Sequence, residues 1–143
     1  MPTKQKATVF QNSVITPALE AIGLSSTSAA ELLLGTALVE SRLVWRRQLG
    51  NGPARGLFQM EMATHDDIWK NYLAYRSSLA GKIKNLKSIL NADPESELEN
   101  NDQYAAAMAR VHYKRAPVAL PAPGQIEALL HKAHHPLPGR LRG

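Results

Sequence analysis

The sequence contains no cysteine. This excludes a disulfide framework, a thiolate zinc site and a cysteine nucleophile. No apolar run is long enough to span a bilayer, and polar residues interrupt the N-terminal stretch MPTKQKATVFQNSVITPALEAIGL before a run of signal-peptide length develops. We therefore expect neither a membrane span nor a cleaved signal peptide, so another route would have to bring the protein to any target outside the cell.

Acidic residues are fewer than basic ones, 12 against 17, which leaves a formal net charge of +5. This charge suits an anionic partner: nucleic acid, a membrane surface or an acidic polymer such as peptidoglycan. The basic residues are scattered along the chain, however, which is also typical of a solvated surface. Nucleic acid is disfavoured because no binding motif is recognisable and aromatic residues do not interleave with the charges.

The 143 residues, 44% of them hydrophobic, are sufficient for one compact core. Apolar residues recur at helical spacing, and we find no convincing strand alternation. We therefore predict an all-α domain with at most a small β-hairpin within residues 44–60. We expect a polar arm at residues 1–12, the domain itself at 13–135 and a flexible tail at 136–143.

Start signals and apolar stripes mark the predicted helices. The first is predicted at about 16–22, with Pro17 in its first turn, and the second is a buried helix from a Ser28–Glu31 capping box to about Glu40. A third helix is capped by Thr64, and a fourth extends from Ser77 or Ser78 to about Leu90. Two more are predicted at about 102–114 and 125–134. Asp66 and Asp67 would then lie in the first turn of the Thr64 helix, where negative charge is favourable. The stretch PESELENND is predicted to be an exposed acidic link.

Glu40 breaks two local rules at the end of the buried helix. Its neighbours one and two turns earlier are Thr36, Ala37 and Leu33, so its carboxyl group projects from a largely apolar face. It also lies near the helix C-terminus, where the macrodipole disfavours negative charge. Both effects raise the pKa of a carboxylic acid, as a general acid for a glycosidic oxygen requires. The alternative is a structural ion pair of Glu40 with Arg42, Arg46 or Arg47.

The loop after this helix contains the sequence GNGPARG, whose glycines allow backbone to approach a ligand closely. Gln59 follows, with an amide group that can both donate and accept hydrogen bonds to sugar substituents. Its neighbours Phe58 and Met60 are better explained as core residues. Gln59 is therefore predicted to face a groove.

Three motifs occur in order: ALVESRL, GPARGLFQMEMAT and YAAAMARVHYKR, which together extend over about residues 32–115. They resemble the Glu-Ser and Gly-Leu-x-Gln motifs, and the helix that follows them, in the soluble lytic transglycosylase and goose-type lysozyme-like superfamily, and look closest to its short phage-encoded members. The resemblance implies a lysozyme-like helical fold. It makes Glu40 the catalytic acid/base, Ser41 its polar neighbour, and Gly56 and Gln59 residues of the glycan groove.

Such enzymes cut the β-1,4 bond between N-acetylmuramic acid and N-acetylglucosamine in peptidoglycan, and the resemblance implies no metal and no cofactor. In a transglycosylase the same carboxyl group serves as acid and then as base. A hydrolase would ordinarily need a second carboxylate, about 5–5.5 Å away for retention or about 6.5–9.5 Å away for inversion. Glu61, Asp66 and Asp67 are the candidates, and Glu61 is retained as a groove residue because the two aspartates are explained as helix caps.

One departure from the family is the missing late Tyr-Asn segment, whose tyrosine lies near the catalytic acid. Tyr104 or Tyr113 would have to supply that hydroxyl group, and Tyr104 is retained as a substrate-binding candidate. The resemblance implies a phage virion protein that opens the cell wall during genome delivery, or an endolysin held in the bacterial cytoplasm before release. The alternative is a structural component of the particle, with other virion proteins as partners and little or no catalysis.

A metal site is the last alternative. His131, His134 and His135 have the spacing of one helix face. Apart from Glu127, no acid accompanies them, and a frayed end is a poor preorganised site, so no metal is predicted.

Overall fold

The structure is a computed structural model that describes residues 2–116. It is mostly α-helical with one small antiparallel hairpin, which confirms the predicted fold class. The helices are α1 Lys4–Phe10, α2 Thr16–Ala21, α3 Thr27–Ser41, α4 Met62–Asn71, α5 Ser77–Lys84, α6 Pro94–Asn100 and α7 Asp102–Arg115. In the hairpin, β1 (Ala54–Arg55) pairs with β2 (Met60–Glu61) so that Ala54 opposes Glu61.

The N-terminal region is helical through most of the predicted polar arm. The chain continues from α1 through wider π-helical turns at Gln11–Ile15 into α2. Those turns end just before Pro17, which lacks an N–H group for the helical hydrogen bond. Phe10 is buried, and its ring centroid lies 6.1 Å from that of Phe58. This segment is thus attached to the core.

Two predicted helix starts are wrong. The N-cap of α3 is Ser26, whose hydroxyl group accepts from the Ala29 N–H at 3.0 Å, so Ser28 lies inside the helix. The helix α4 begins at Met62 without a side-chain cap, because the chain enters it directly from β2. Thr64 is therefore not a cap, and the aspartates that follow it lie beyond the first turn.

The acidic link predicted at PESELENND is also wrong, because most of it forms α6. The Asp93 carboxylate caps this helix by accepting from the Ser96 N–H at 3.1 Å, and Pro94 fits its first turn. Glu97 and Leu98 are buried. The acidic composition of this segment suggested exposure, but the segment forms a helix with buried residues.

The helix predicted from Ser77 begins there, but α5 ends at Lys84 instead of reaching Leu90. Leu90 is 76% exposed. The helix predicted at 102–114 is confirmed as α7, the centre of the fold. Residues Tyr104–His112 are all buried, and α7 packs against α2, α3, α4, α5 and α6. Its small alanine side chains let these neighbours approach closely.

The helix predicted at 125–134, the tail at 136–143 and the histidines His131, His134 and His135 lie outside the described residues. Within residues 2–116, no helix has the length and apolar character needed to cross a membrane.

Candidate active site

Glu40 lies in the last turn of α3 and is half-buried. Ser41 follows as the final helical residue and is completely buried. Its hydroxyl group lies 2.6 Å from the Leu57 carbonyl oxygen and 2.9 Å from that of Ala37, and it accepts from the Leu43 N–H at 3.2 Å. Ser41 therefore fixes the end of the helix to the following loop. It does not face a groove, contrary to its predicted substrate-binding role.

The backbone after Glu40 is strained. In the described part of the chain, the non-glycine residues with positive φ are Arg42, Leu43, Asn51 and Gln59, with φ between 54° and 62°. The left-handed conformation costs roughly 1–2 kcal/mol for an L-residue with a Cβ atom. Such residues cluster at ligand sites, where the surrounding structure holds them in place. Here these residues all lie between the end of α3 and the start of β2.

Arginine side chains of this segment bind acidic residues and a backbone carbonyl group at the junction of α6 and α7. The Arg46 guanidinium group donates to both carboxylate oxygens of Asp102, at 2.7 and 3.1 Å, and to the Glu99 carbonyl oxygen at 2.9 Å. Arg47 pairs with the Glu99 carboxylate at 3.1 Å. Two of the three arginines considered as structural partners of Glu40 thus pair with acids at the α6–α7 junction.

Gly56 lies where the backbone of α6 leaves no room for a side chain. Its φ is +77°, and a Cβ atom there would lie 1.9 Å from the Leu98 carbonyl oxygen of α6. Its N–H donates to the Arg46 carbonyl oxygen at 2.6 Å. The predicted close backbone approach is present, but its partner is α6 instead of a glycan.

Gln59 is 1% exposed. Its amide nitrogen donates to the carbonyl oxygens of Gly56 at 2.8 Å and Trp45 at 3.2 Å. The side chain therefore closes the loop on itself. The predicted contact of Gln59 with a glycan is not available in this structure, because the side chain is enclosed.

Tyr104 is also buried, in a hydrogen-bonded chain that the sequence did not reveal. Its hydroxyl group lies 2.7 Å from His65 Nε2 and accepts from Trp69 Nε1–H at 3.1 Å, and His65 Nδ1 lies 3.0 Å from Asp66 Oδ1. Burial raises the pKa of Tyr104 to about 12 and lowers the pKa of His65.

One assignment of protons satisfies the hydrogen bonds among Asp66, His65 and Tyr104. Neutral His65 donates from Nδ1 to Asp66 and accepts at Nε2 from the Tyr104 hydroxyl group. The chain has the order acid, imidazole, hydroxyl, as in a nucleophile triad, but Tyr104 is 0% exposed. Tyr104 is therefore a structural residue and not a substrate contact.

Tyr113 contacts the helix that carries Glu40. Its hydroxyl oxygen lies 2.9 Å from Thr36 Oγ1. Thr36 precedes Glu40 by four residues on α3, so the two share a helix face. Of the two tyrosines that the sequence left open, Tyr113 is therefore the one whose hydroxyl group contacts α3, whereas that of Tyr104 contacts His65 and Trp69.

Trp45 is a further candidate that sequence reasoning missed. Its backbone N–H donates to the Ser41 carbonyl oxygen at 3.0 Å, which keeps it beside the helix end, and the residue is 45% exposed. An exposed indole is amphipathic and can stack against the apolar face of a sugar ring. The sequence feature that could have identified Trp45 is the presence of a tryptophan within a glycine- and arginine-rich loop.

The three candidates for a second carboxylate differ in their surroundings. Asp66 contacts His65, and Asp67 accepts from Arg115 and Asn71. The hydrogen bond from Arg115, followed by that from Asn71, lowers the pKa of Asp67. Glu61 is half-buried at the junction of β2 and α4 and has no side-chain cap interaction. Among the described residues, the Glu61 carboxylate therefore has fewer interactions than those of Asp66 and Asp67.

A metal centre finds no support within residues 2–116, where no group of three histidine, aspartate or glutamate side chains could hold an ion. Comparison of the chain with family models, curated proteins and solved structures finds no match.

Proposed function

We propose that the protein cleaves peptidoglycan, as a lytic transglycosylase or muramidase that acts on the β-1,4 bond between N-acetylmuramic acid and N-acetylglucosamine. The observation that carries this proposal is the position of Glu40. It is a half-buried carboxyl group in the last turn of a buried helix, followed at once by strained backbone. Tyr113 and Trp45 flank this helix end and add a hydroxyl group and an exposed indole.

Glu40 performs both proton transfers in the transglycosylase reaction. Its protonated carboxyl group donates to the glycosidic oxygen as the bond from that oxygen to muramic acid C1 breaks. The resulting carboxylate removes the proton of the muramic acid 6-hydroxyl group, whose oxygen then bonds to C1. This closes a 1,6-anhydro ring and regenerates the acid. In the hydrolytic variant a water molecule replaces the 6-hydroxyl group, and Glu61 is the candidate for the second carboxylate.

The biological setting that we propose is a phage particle whose protein opens the cell wall during genome delivery. An endolysin would perform the same chemistry after synthesis in the host cytoplasm. The second candidate function is a structural virion component with a lysozyme-like fold and little activity. The burial of Ser41, Gly56, Gln59 and Tyr104 favours this second candidate, because it removes four of the expected ligand contacts.

The deciding experiment compares the wild type with Glu40→Gln on purified peptidoglycan. Glu20→Gln, an exposed change on α2, is the matched control. We expect Glu40→Gln to abolish the release of muropeptides while its melting temperature stays equal or rises, because a negative charge near a helix C-terminus is unfavourable. Glu20→Gln should retain activity.

Mass spectrometry of the products separates the reaction types. Anhydro-muropeptides that disappear in Glu40→Gln would establish the transglycosylase, and reducing ends would establish hydrolysis. Undiminished activity of Glu40→Gln would refute the role of Glu40. No release by folded wild type would favour the structural component.

A further inference from the structure

A pocket of about 430 Å³ lies against α4 and α5, and none of its lining residues belongs to α3 or to the loop after Glu40. Its walls include His65, Asp66, Trp69, Lys84, Lys87 and Pro94. The buried Tyr104 hydroxyl group, which anchors His65 and Trp69, fixes one side. The pocket thus has a rigid base and is separate from the proposed catalytic residues.

Ammonium groups converge on this pocket. The Nζ atoms of Lys84 and Lys87 each lie 5.8 Å from the centroid of the Trp69 ring, and Lys87 also lies 5.9 Å from that of Tyr104. Lys70 is a third lysine of the lining. In the described part of the protein, none of the three forms a salt bridge. The charges of Lys87 and Lys70 also act on the carboxylates of Glu97 and Asp67, but without a salt bridge the ammonium groups can still attract an anion.

The other walls suit a sugar ring. The Trp69 indole, held by its hydrogen bond to Tyr104, and Pro94 offer apolar surface for the C–H face of a ring. The Asp66 carboxylate is 69% exposed and can accept hydrogen bonds from hydroxyl groups. The pocket volume is within the range typical of small-molecule sites, about 300–1,000 Å³.

We propose that this pocket binds an acidic monosaccharide unit, with its carboxylate between Lys84 and Lys87 and its ring against Trp69. The identity of the sugar rests on the proposed function: in peptidoglycan the acidic sugar is N-acetylmuramic acid, whose lactyl group carries the carboxylate. The pocket would then hold the glycan at a second place, apart from the bond that Glu40 cuts.

Tryptophan fluorescence provides a direct test. Trp45 and Trp69 are the two tryptophans of the sequence, so Trp45→Phe leaves Trp69 as the single reporter. We expect a saturable fluorescence change with N-acetylmuramic acid and none with neutral N-acetylglucosamine at the same concentrations. The double variant Lys84→Gln/Lys87→Gln in this background should bind about tenfold more weakly, because two ion pairs of a solvent-exposed kind are lost.

Lys82→Gln is the control, because it removes one positive charge from α5, the helix that carries Lys84, at a position outside the pocket lining. Its affinity should equal that of the background protein. An equal response to N-acetylglucosamine or to inorganic phosphate would overturn the proposal, as would unchanged binding by the double lysine variant.

The two proposals can fail separately. Glu40→Gln should leave the Trp69 response unchanged, since that carboxyl group is not part of the pocket. Peptidoglycan cleavage by the wild type, together with no response of Trp45→Phe to N-acetylmuramic acid, would refute the pocket alone. A normal response in a protein that releases no muropeptides would refute the enzymatic function while supporting the pocket.

Discussion

At the scale of single residues, the Gln59 amide is a link within its own loop. It bridges the carbonyl groups of Trp45 and Gly56 from an enclosed position with φ of +54°. The sequence predicts a polar side chain for a groove, but the structure uses the same amide donors to close the loop. A glutamine between two apolar residues is compatible with both roles, so only the position of the neighbouring carbonyl groups decides.

We predict that Gln59→Ala destabilises the protein by about 1–3 kcal/mol, because buried carbonyl groups lose a donor. Urea unfolding followed by circular dichroism measures the change. Gln5→Ala, on the exposed side of α1, is the control and should alter stability by less than about 0.5 kcal/mol. An equally small change for Gln59→Ala would contradict the structural role.

Trp45 is the residue whose role is best tested by activity. Trp45→Ala should lower peptidoglycan cleavage by about tenfold, corresponding to about 1.4 kcal/mol of lost binding. Its stability should change little, because the bond that Trp45 accepts from Gln59 uses the backbone carbonyl group. Muropeptide release and thermal melting measure the two effects. Full activity of Trp45→Ala would exclude the indole as a sugar platform.

At the scale of elements, the loop after α3 is held against α6 by contact between backbones. The Leu98 carbonyl oxygen lies so close to Gly56 that no room is left for a side chain there. Arg46 supports the same junction through Asp102 and the Glu99 carbonyl group. The loop that follows Glu40 therefore depends on α6, a helix that the sequence analysis interpreted as a link.

Two glycines separate the effect of crowding from that of backbone conformation. Gly56 and Gly50 both have φ of +77°, but no atom lies within 4 Å of a Cβ atom placed at Gly50. We predict that Gly50→Ala costs about 1 kcal/mol, from conformation alone. Gly56→Ala should cost at least about 2 kcal/mol more, because the backbone of α6 has to move. Denaturant unfolding of both variants measures the difference, and equal effects would refute the close packing.

At the scale of the whole molecule, buried imidazoles link stability to pH. His112 is 1% exposed, and neither ring nitrogen has a hydrogen-bond partner in the part of the chain described here. Burial, with a smaller contribution from the charge of Arg115, lowers the pKa of His112 from 6.5 to about 4. The pKa of His65 is lowered by burial as well.

The sign of the pH effect follows from proton binding. Between about pH 6.5 and 4 the unfolded chain takes up a proton at His112 that the folded protein does not. The free energy of unfolding therefore falls as the pH is lowered through this range, by about 3 kcal/mol in total from this residue. Urea unfolding at pH 7, 5.5 and 4.5 measures it.

The variant His112→Leu isolates this contribution. It should be more stable than the wild type below pH 6, because an apolar side chain of similar size requires neither a proton nor a hydrogen bond. Its remaining loss of stability should be smaller and should include that of His65. A variant with the pH profile of the wild type would show that His112 does not cause the acid sensitivity.

The sequence by itself determined the helical class, because apolar residues at helical spacing mark most of the segments that form helices. It also located Glu40 at a helix end, marked the extent of α7, and allowed a small hairpin in a range, 44–60, that contains β1 and ends one residue before the end of β2. The predicted start of α3 was displaced because both Ser26 and Ser28 satisfy the capping pattern, and that of α4 because the chain enters this helix directly from β2 without a side-chain cap.

Only the tertiary structure decided what the polar residues near Glu40 do. Gln59, Gly56 and Tyr104 have the chemistry of a groove, yet each finds its partner within the protein: loop carbonyl groups, the backbone of α6 and His65. From the sequence alone, a hydrogen-bonding side chain is equally compatible with binding a ligand and with bonding to a distant segment of the protein. The packing of α6 and α7 brings the partners of Gly56 and Tyr104 within reach, and contacts between residues far apart in the chain are not encoded in local spacing.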